Sequence, residues 1–237
     1  NNTYGEYSRP FWDYQARCAG LMRKGMPVAD LCIYLGQNPP VKLLSHRLPE
    51  IPEGYDWDVC TAEALITRMS ASTGRPEGSI SLKEKADSAE YQTIVNKLWG
   101  TKETTSGVRT VGKGKLYWGM SLAEALQEQG IRPDMGIKSG NTPTDKVYFS
   151  HRRLADADVY FINNHSEREF KDEVVLRTSL SNASYWDPVN GKRYRLPARS
   201  IAEGLNISIT LLPGESGFIV ASNDSQEELT LKSTREN

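Results

Sequence analysis

Between positions 147 and 222 the chain breaks into seven short runs of strand-forming residues. They fall at 147–149, 159–163, 173–178, 184–186, 193–196, 205–211 and 217–222. Short strands repeated about every ten residues, with turn formers between them, predict an antiparallel β-sandwich. One apolar run, Asp158-Val-Tyr-Phe-Ile-Asn163, is bounded by polar turn residues. Further on, Tyr185-Trp-Asp-Pro188 leads into Asn190-Gly191 and a return run. Asn-Gly between two strands is a strong hairpin signal, because both residues tolerate positive φ. The sandwich is expected over 145–223. Residues 224–237 carry no apolar face and are expected to be a mobile tail.

Upstream the pattern changes. Ser8 and Pro10 can open a helix whose apolar positions are Phe11, Tyr14, Cys18, Leu21 and Met22, with Gly25 to end it. The nearly continuous apolar run 27–36 then predicts a buried parallel strand. Residues 37–54 hold four prolines and predict a loop. Helices are expected over 61–69, with Asp58 or Thr61 as cap, and over 81–99. A hairpin is expected around Gly112-Lys-Gly-Lys115. An amphipathic helix follows, capped by Ser121 and Glu124 and stopped by Gly130. The Gly/Asn/Thr/Pro stretch 136–145 reads as a linker. The expected fold class is α+β: a helix over 1–25, an α/β three-layer domain over 26–140, then the antiparallel β-sandwich.

Net charge is −1, so no global basic field points to nucleic acid. No apolar run approaches the ~20 residues that span a bilayer. The first residue is not Met, which suggests a mature or excised fragment. Cys18, Cys32 and Cys60 lack any metal-ligand spacing and sit among apolar neighbours, so they are expected as buried small hydrophobes; a Cys32–Cys60 disulfide stays open. His46 and His165 have no ligand-spaced partner, and no zinc site is expected. Gly112-Lys-Gly-Lys115 lacks the phosphate-loop pattern, and no Gly-x-Ser-x-Gly elbow occurs. Neither a cofactor nor a metal is expected.

At HRRLADADVYFINN, TSLSNASYWDPVNGKRYRLP and LPGESGFIVAS the chain resembles the region behind the catalytic barrel in the α-L-rhamnosidases of glycoside hydrolase family 106. The front half is similar too, through FWDYQARCAGLMRKGMPVADLCIYLG, GYDWDVCTAEALITRMS and GKGKLYWGMSLAEAL. The resemblance implies a helix trailing a barrel, then a flavodoxin-like or amidotransferase-like α/β domain. It also implies a carbohydrate partner and a bacterial periplasmic or extracellular location. The family's catalytic carboxylates lie on an N-terminal barrel that would precede Asn1, so none is carried over. Between Arg75 and Ser81 the chain is shorter than the family pattern; either the α/β domain is reduced or residues are missing there.

Glycosidases need two carboxyl groups about 5–5.5 Å or 6.5–9.5 Å apart. The nearest pair here is Asp56 and Asp58, flanked by Tyr55 and Trp57. Aromatic rings beside carboxylates suit a sugar-contacting loop, although Asp is equally a helix cap. The resemblance implies that this loop reaches the barrel's rim. Tyr55, Asp56, Trp57 and Asp58 are therefore the expected ligand contacts, joined by His151 and Arg152 at the lip of a strand. The expected function is a non-catalytic C-terminal portion of a glycoside hydrolase. The alternative is a stand-alone carbohydrate-binding or scaffolding module using Tyr55, Trp57 or Trp186 as stacking platforms. A third reading is a small-molecule crevice at the ends of parallel strands.

Overall fold

The computed structural model describes residues 5–34, 49–60, 93–94, 96–98, 100, 105–112, 114–138, 146–225 and 228–232. The helix expected over 61–69 lies outside them. Of the helix expected over 81–99, positions 93–94 and 96–98 are described, and all are helical.

The described elements run in this order. Helix α1 is Arg9–Met22, followed by strands β1 (Met26–Val28), β2 (Leu31–Tyr34), β3 (Trp57–Cys60), β4 (Gly107–Val111) and β5 (Gly114–Trp118). Helix α2 is Leu122–Glu128. Then come β6 (Met135–Ile137), β7 (Val147–Arg153), β8 (Ala157–Asn164), β9 (Phe170–Leu176) and β10 (Asn182–Trp186). The last are β11 (Arg193–Leu196), β12 (Ala198–Ile201), β13 (Gly204–Leu211) and β14 (Ser216–Ser222). The chain divides into two compact units. The first is Asn1–Leu31, Glu53–Asp58 and Pro133–Asn237; the second is Cys32–Pro52 and Val59–Arg132.

The first unit is built on two antiparallel sheets. One has the order β1-β7-β8-β14-β10-β11, the other β12-β13-β9-β6. They share one core, because strand alternation sends every second residue inward. Tyr160, Ile162, Tyr185 and Ile219 face it from the first sheet; Phe170, Val174, Leu176, Leu205 and Ile207 face it from the second. All seven predicted runs are strands. β12 was not foreseen, because Ala-Arg-Ser-Ile is polar and mostly exposed at the edge of its sheet. β6 already pairs with β9, so the predicted linker at 136–145 begins inside the sandwich.

The outer face of the six-stranded sheet carries a second cluster. Val159, Phe218 and Val220 are packed there by Cys18, Leu21 and Met22 of α1. Tyr14 hydrogen-bonds Ser216 at 2.8 Å, and the Arg17 guanidinium donates to the carbonyls of Pro188 and Val189. Those carbonyls belong to the turn between β10 and β11, which the Asn-Gly signal predicted. Gly191 has φ +74°, and the Asp187 carboxylate accepts from the backbone N–H of Val189.

The front half departs from expectation. The run 27–36 is not one buried parallel strand. It divides at Ala29-Asp30 into β1, which is antiparallel to β7, and β2, which joins β3 in a two-stranded sheet. Both are short and partly exposed. Pro27 cannot donate to a ladder and so suits a sheet edge, and Asp30 is drawn into a polar cluster instead of a strand. No flavodoxin-like parallel sheet appears among the described residues. The tail also differs in part: Thr230 and Lys232 exchange backbone hydrogen bonds with Arg195, and Lys232 pairs with Glu215 at 3.2 Å over the Tyr185 ring. Positions 228–232 are thus tied to β11.

The second unit's described part includes the β4–β5 hairpin and α2. Ser121 and Glu124 form the predicted capping box, and Gly130 takes φ +68° behind the helix. Glu128 accepts hydrogen bonds from Lys115 and from the Tyr117 hydroxyl, joining α2 to β5. No disulfide joins the three cysteines, and none is fully buried: Cys32 is exposed and Cys18 and Cys60 are half-buried.

Candidate functional site

At one end of the sandwich, sheet alternation buries charge. Along β7, Val147, Phe149 and His151 share the inward face. Along β8, Asp158, Tyr160 and Ile162 do the same. His151 stands opposite Tyr160 in the register, and their rings stack at 4.0 Å. His151 is fully buried. Its Nδ1 lies 2.9 Å from Asp134 Oδ2 and its Nε2 3.1 Å from Asp158 Oδ1. A neutral imidazole has one N–H and one lone pair. With a carboxylate at each nitrogen, the ring can donate to both only as an imidazolium. Burial pushes its pKa down, but the hydrogen bonds and charges of Asp134 and Asp158 outweigh that, and the net direction is up.

Asp158 is held by three donors: His151, the Thr178 hydroxyl at 2.6 Å and Arg153 Nε at 3.2 Å. Burial works against its ionisation. The donors win and bring its pKa down to about 2. Arg177 reaches across from the end of β9. Its Nη2 lies 2.6 Å from Asp30 Oδ1 and 3.3 Å from Asp134 Oδ1. Three buried atoms here have no hydrogen-bond partner: Asp30 Oδ2, Asp134 Oδ1 and the Tyr160 hydroxyl. Tyr160's pKa is raised, chiefly by burial and then by the fields of Asp134 and Asp158.

The Tyr55–Asp58 segment borders this cluster. Gly54 O accepts from Asp134 N and Met135 N, and Asp56 O accepts from Asp30 N and Leu31 N. A Cβ at Gly54, where φ is +81°, would lie 2.4 Å from Met135 O, so only glycine allows this approach. Asp56 is half-buried. Its pKa is raised by burial, opposed by the Trp57 N–H, and raised further by Asp134, Asp58 and Asp30. Burial and the field of Asp30 also raise that of Tyr55, against Arg177.

The six residues singled out from sequence thus meet different fates. Tyr55, Asp56 and His151 gather around one ion cluster. Asp58 is exposed on β3, and Trp57 is half-buried. His151 faces the core and not a substrate-facing lip, because position 151 is inward in the β7 alternation. Arg152, on the opposite face, donates to the carbonyls of Lys24 and Gly25 and closes the turn after α1. Trp186 carries the Arg193 guanidinium 3.8 Å above its ring and packs against the outer cluster, which removes it as an open stacking platform. Asp30, Asp134, Asp158, Tyr160 and Arg177 were not singled out. Asp158 was legible: a carboxylate two residues before inward Tyr160 and four before Ile162 must itself point inward. Asp30, Asp134 and Arg177 lie far apart in sequence and carry no local pattern. Among the described residues no cluster of His, Cys, Asp and Glu suits a metal ion, and no helix is long and apolar enough to cross a membrane.

Comparison with known proteins decides the family. The model of glycoside hydrolase family 106, alpha-L-rhamnosidase, matches residues 1–77 and 73–198. The chain belongs to glycoside hydrolase family 106. Within the curated proteins it is similar to one of Formosa agariphila named "Putative beta-glucuronidase", at 24% identity over 99% of this chain and 22% of that protein. Its fold is similar to the rhamnosidase structure from Novosphingobium sp. PP1Y, with TM-score 0.76, 21% identity, and coverage of 99% of this chain and 26% of that one. This family-106 chain therefore spans about a quarter of the length of the relatives it matches.

Proposed function

We propose that this chain is the non-catalytic C-terminal portion of a longer family-106 glycoside hydrolase, where it buttresses a catalytic barrel. The supporting observation is one of proportion: nearly all of this chain aligns with each relative, yet it accounts for only 22% of one and 26% of the other. The chemistry of the described carboxyl groups agrees. Asp134 and Asp158, the most deeply buried of the cluster, are committed to His151, Arg153 and Arg177. A carboxylate held near pKa 2 is a poor proton donor at neutral pH. α1 supplies the surface for a partner domain. Its Cys18, Leu21 and Met22 pack on the sandwich, while Phe11 and Trp12 continue the apolar stripe into solvent, with Tyr7 beside them.

The substrate in this reading is an α-L-rhamnosidic or similar glycoside bound by the barrel, with Tyr55–Asp58 on the rim. An extracytoplasmic location goes with it. The test is direct. Purified alone, this chain should leave an aryl α-L-rhamnoside intact, while the longer protein hydrolyses it; turnover by the chain alone ends the reading. In the longer protein, Trp57→Ala should raise KM for an oligosaccharide more than for the aryl glycoside, as loss of a rim contact requires.

A further inference from the structure

The chain passes between its two units at four places: Leu31 to Cys32, Pro52 to Glu53, Asp58 to Val59, and Arg132 to Pro133. Within the first unit, a residue near each of these points is tied into the same buried cluster. Asp30 stands two residues before the first crossing and ion-pairs with Arg177. Gly54 and Asp56 lie between the second and third, and their carbonyls accept the N–H groups of Asp134, Met135, Asp30 and Leu31. Asp134 stands two residues after the fourth. It is held by His151 Nδ1 and Arg177 Nη2, and its own carbonyl accepts from Arg177 N.

A proton on His151 adds a positive charge, beside Arg153 and Arg177, to a cluster that holds Asp30, Asp134 and Asp158 with half-buried Asp56 at its border. The groups that face His151 are Asp134 ahead of β6, Asp158 and Tyr160 on β8, Arg153 on β7, and Arg177 and Thr178 after β9, with Asp30 beyond Arg177. Without that proton, a ring lone pair faces a buried carboxylate oxygen. Breaking a buried ion pair by neutralising one partner is strongly unfavourable.

We propose that the His151 imidazolium is a pH-dependent anchor that fixes the segments through which the chain leaves and re-enters the sandwich unit. When the ring loses its proton, one N–H remains for two carboxylates; where the lone pair faces Asp134, that carboxylate keeps Arg177 alone, and the backbone bonds from Asp134 and Met135 to Gly54 loosen. The inference is independent of the reading as a hydrolase fragment.

Amide hydrogen exchange on the complete chain tests it, with rates corrected for the intrinsic pH dependence of exchange. Peptides covering 53–60 and 131–137 should lose protection as pH rises above the ordinary histidine range, by up to about tenfold per pH unit until the folded pKa is passed. A peptide from the buried strand at 205–211 should keep its protection. In His151→Gln the two anchor peptides should be poorly protected at every pH, with no step. Asp134→Asn is the second variant. An amide can donate to a neutral Nδ1 while Nε2–H still serves Asp158, so the pH step should disappear with the fold intact. The proposal is overturned if the anchor peptides follow 205–211 across the whole range, or if Asp134→Asn keeps the wild-type step.

Discussion

Tyr160 places a hydroxyl in the core with no hydrogen-bond partner, and its ring stacks on the His151 imidazole. A buried hydroxyl without a partner is a cost that a hydrocarbon edge does not carry. Tyr160→Phe should therefore leave unfolding stability unchanged or raise it by up to about 1 kcal/mol; a loss of more than about 2 kcal/mol in urea denaturation would contradict this. The His–Asp pairs give stability a pH signature with two limbs. The folded pKa of His151 is raised, so its contribution is complete below the ordinary histidine value and is lost as pH rises through the folded one. That of Asp158 is lowered, so its contribution is present above the ordinary aspartate value and is lost as pH falls to about 2. Urea midpoints measured across pH should fall on both sides, and Asp134→Asn should flatten the alkaline side. Half of this was legible. The period of two along β7 and β8 shows that His151 and Asp158 point inward. Nothing local shows that Asp30, Asp134 and Arg177 arrive there from three distant segments.

At the scale of elements, α1 and the β10–β11 turn are a matched pair. The Asn-Gly hairpin leaves the carbonyls of Pro188 and Val189 facing out, and Arg17 takes both. Because this contact is partly exposed, Arg17→Ala should cost only about 1 kcal/mol, measured by chemical denaturation. A larger cost is expected inside the sheet. A Cβ on Gly217 would sit 2.2 Å from the Tyr185 hydroxyl, which donates to Glu215, and 2.3 Å from the ring behind it. Gly217→Ala should destabilise by about 1–3 kcal/mol through overpacking. Strands with strict alternation and a hairpin with its own turn residues can be read locally, and these were. The run 27–36 could not be. Hydrophobicity describes a buried strand there, whereas Pro27 and the pull of Arg177 on Asp30 divide it.

For the whole molecule, the sandwich takes strands from both ends of the sequence. β1 joins the six-stranded sheet before the second unit has begun, and β14 joins after every other strand of that sheet. Removing the apolar face of α1 that contacts solvent, by Phe11→Ser and Trp12→Ser together, should leave the melting temperature of this chain nearly unchanged. In the longer protein proposed above, the same pair should lower it if α1 faces a partner domain there. Equal effects in both settings would reject that surface as an interface.

The place of β14 has a consequence for biosynthesis. It is the next-to-last described segment to leave the ribosome, yet it lies between β8 and β10 and is the sole link joining β1-β7-β8 to β10-β11. Until residue 222 emerges, the nascent chain holds two separate hairpin-like pieces, each with a bare edge of unpaired N–H and C=O groups. Completion of the sheet therefore waits until β14 has left the ribosome, and a chaperone that shields exposed strand edges would find its target in that interval.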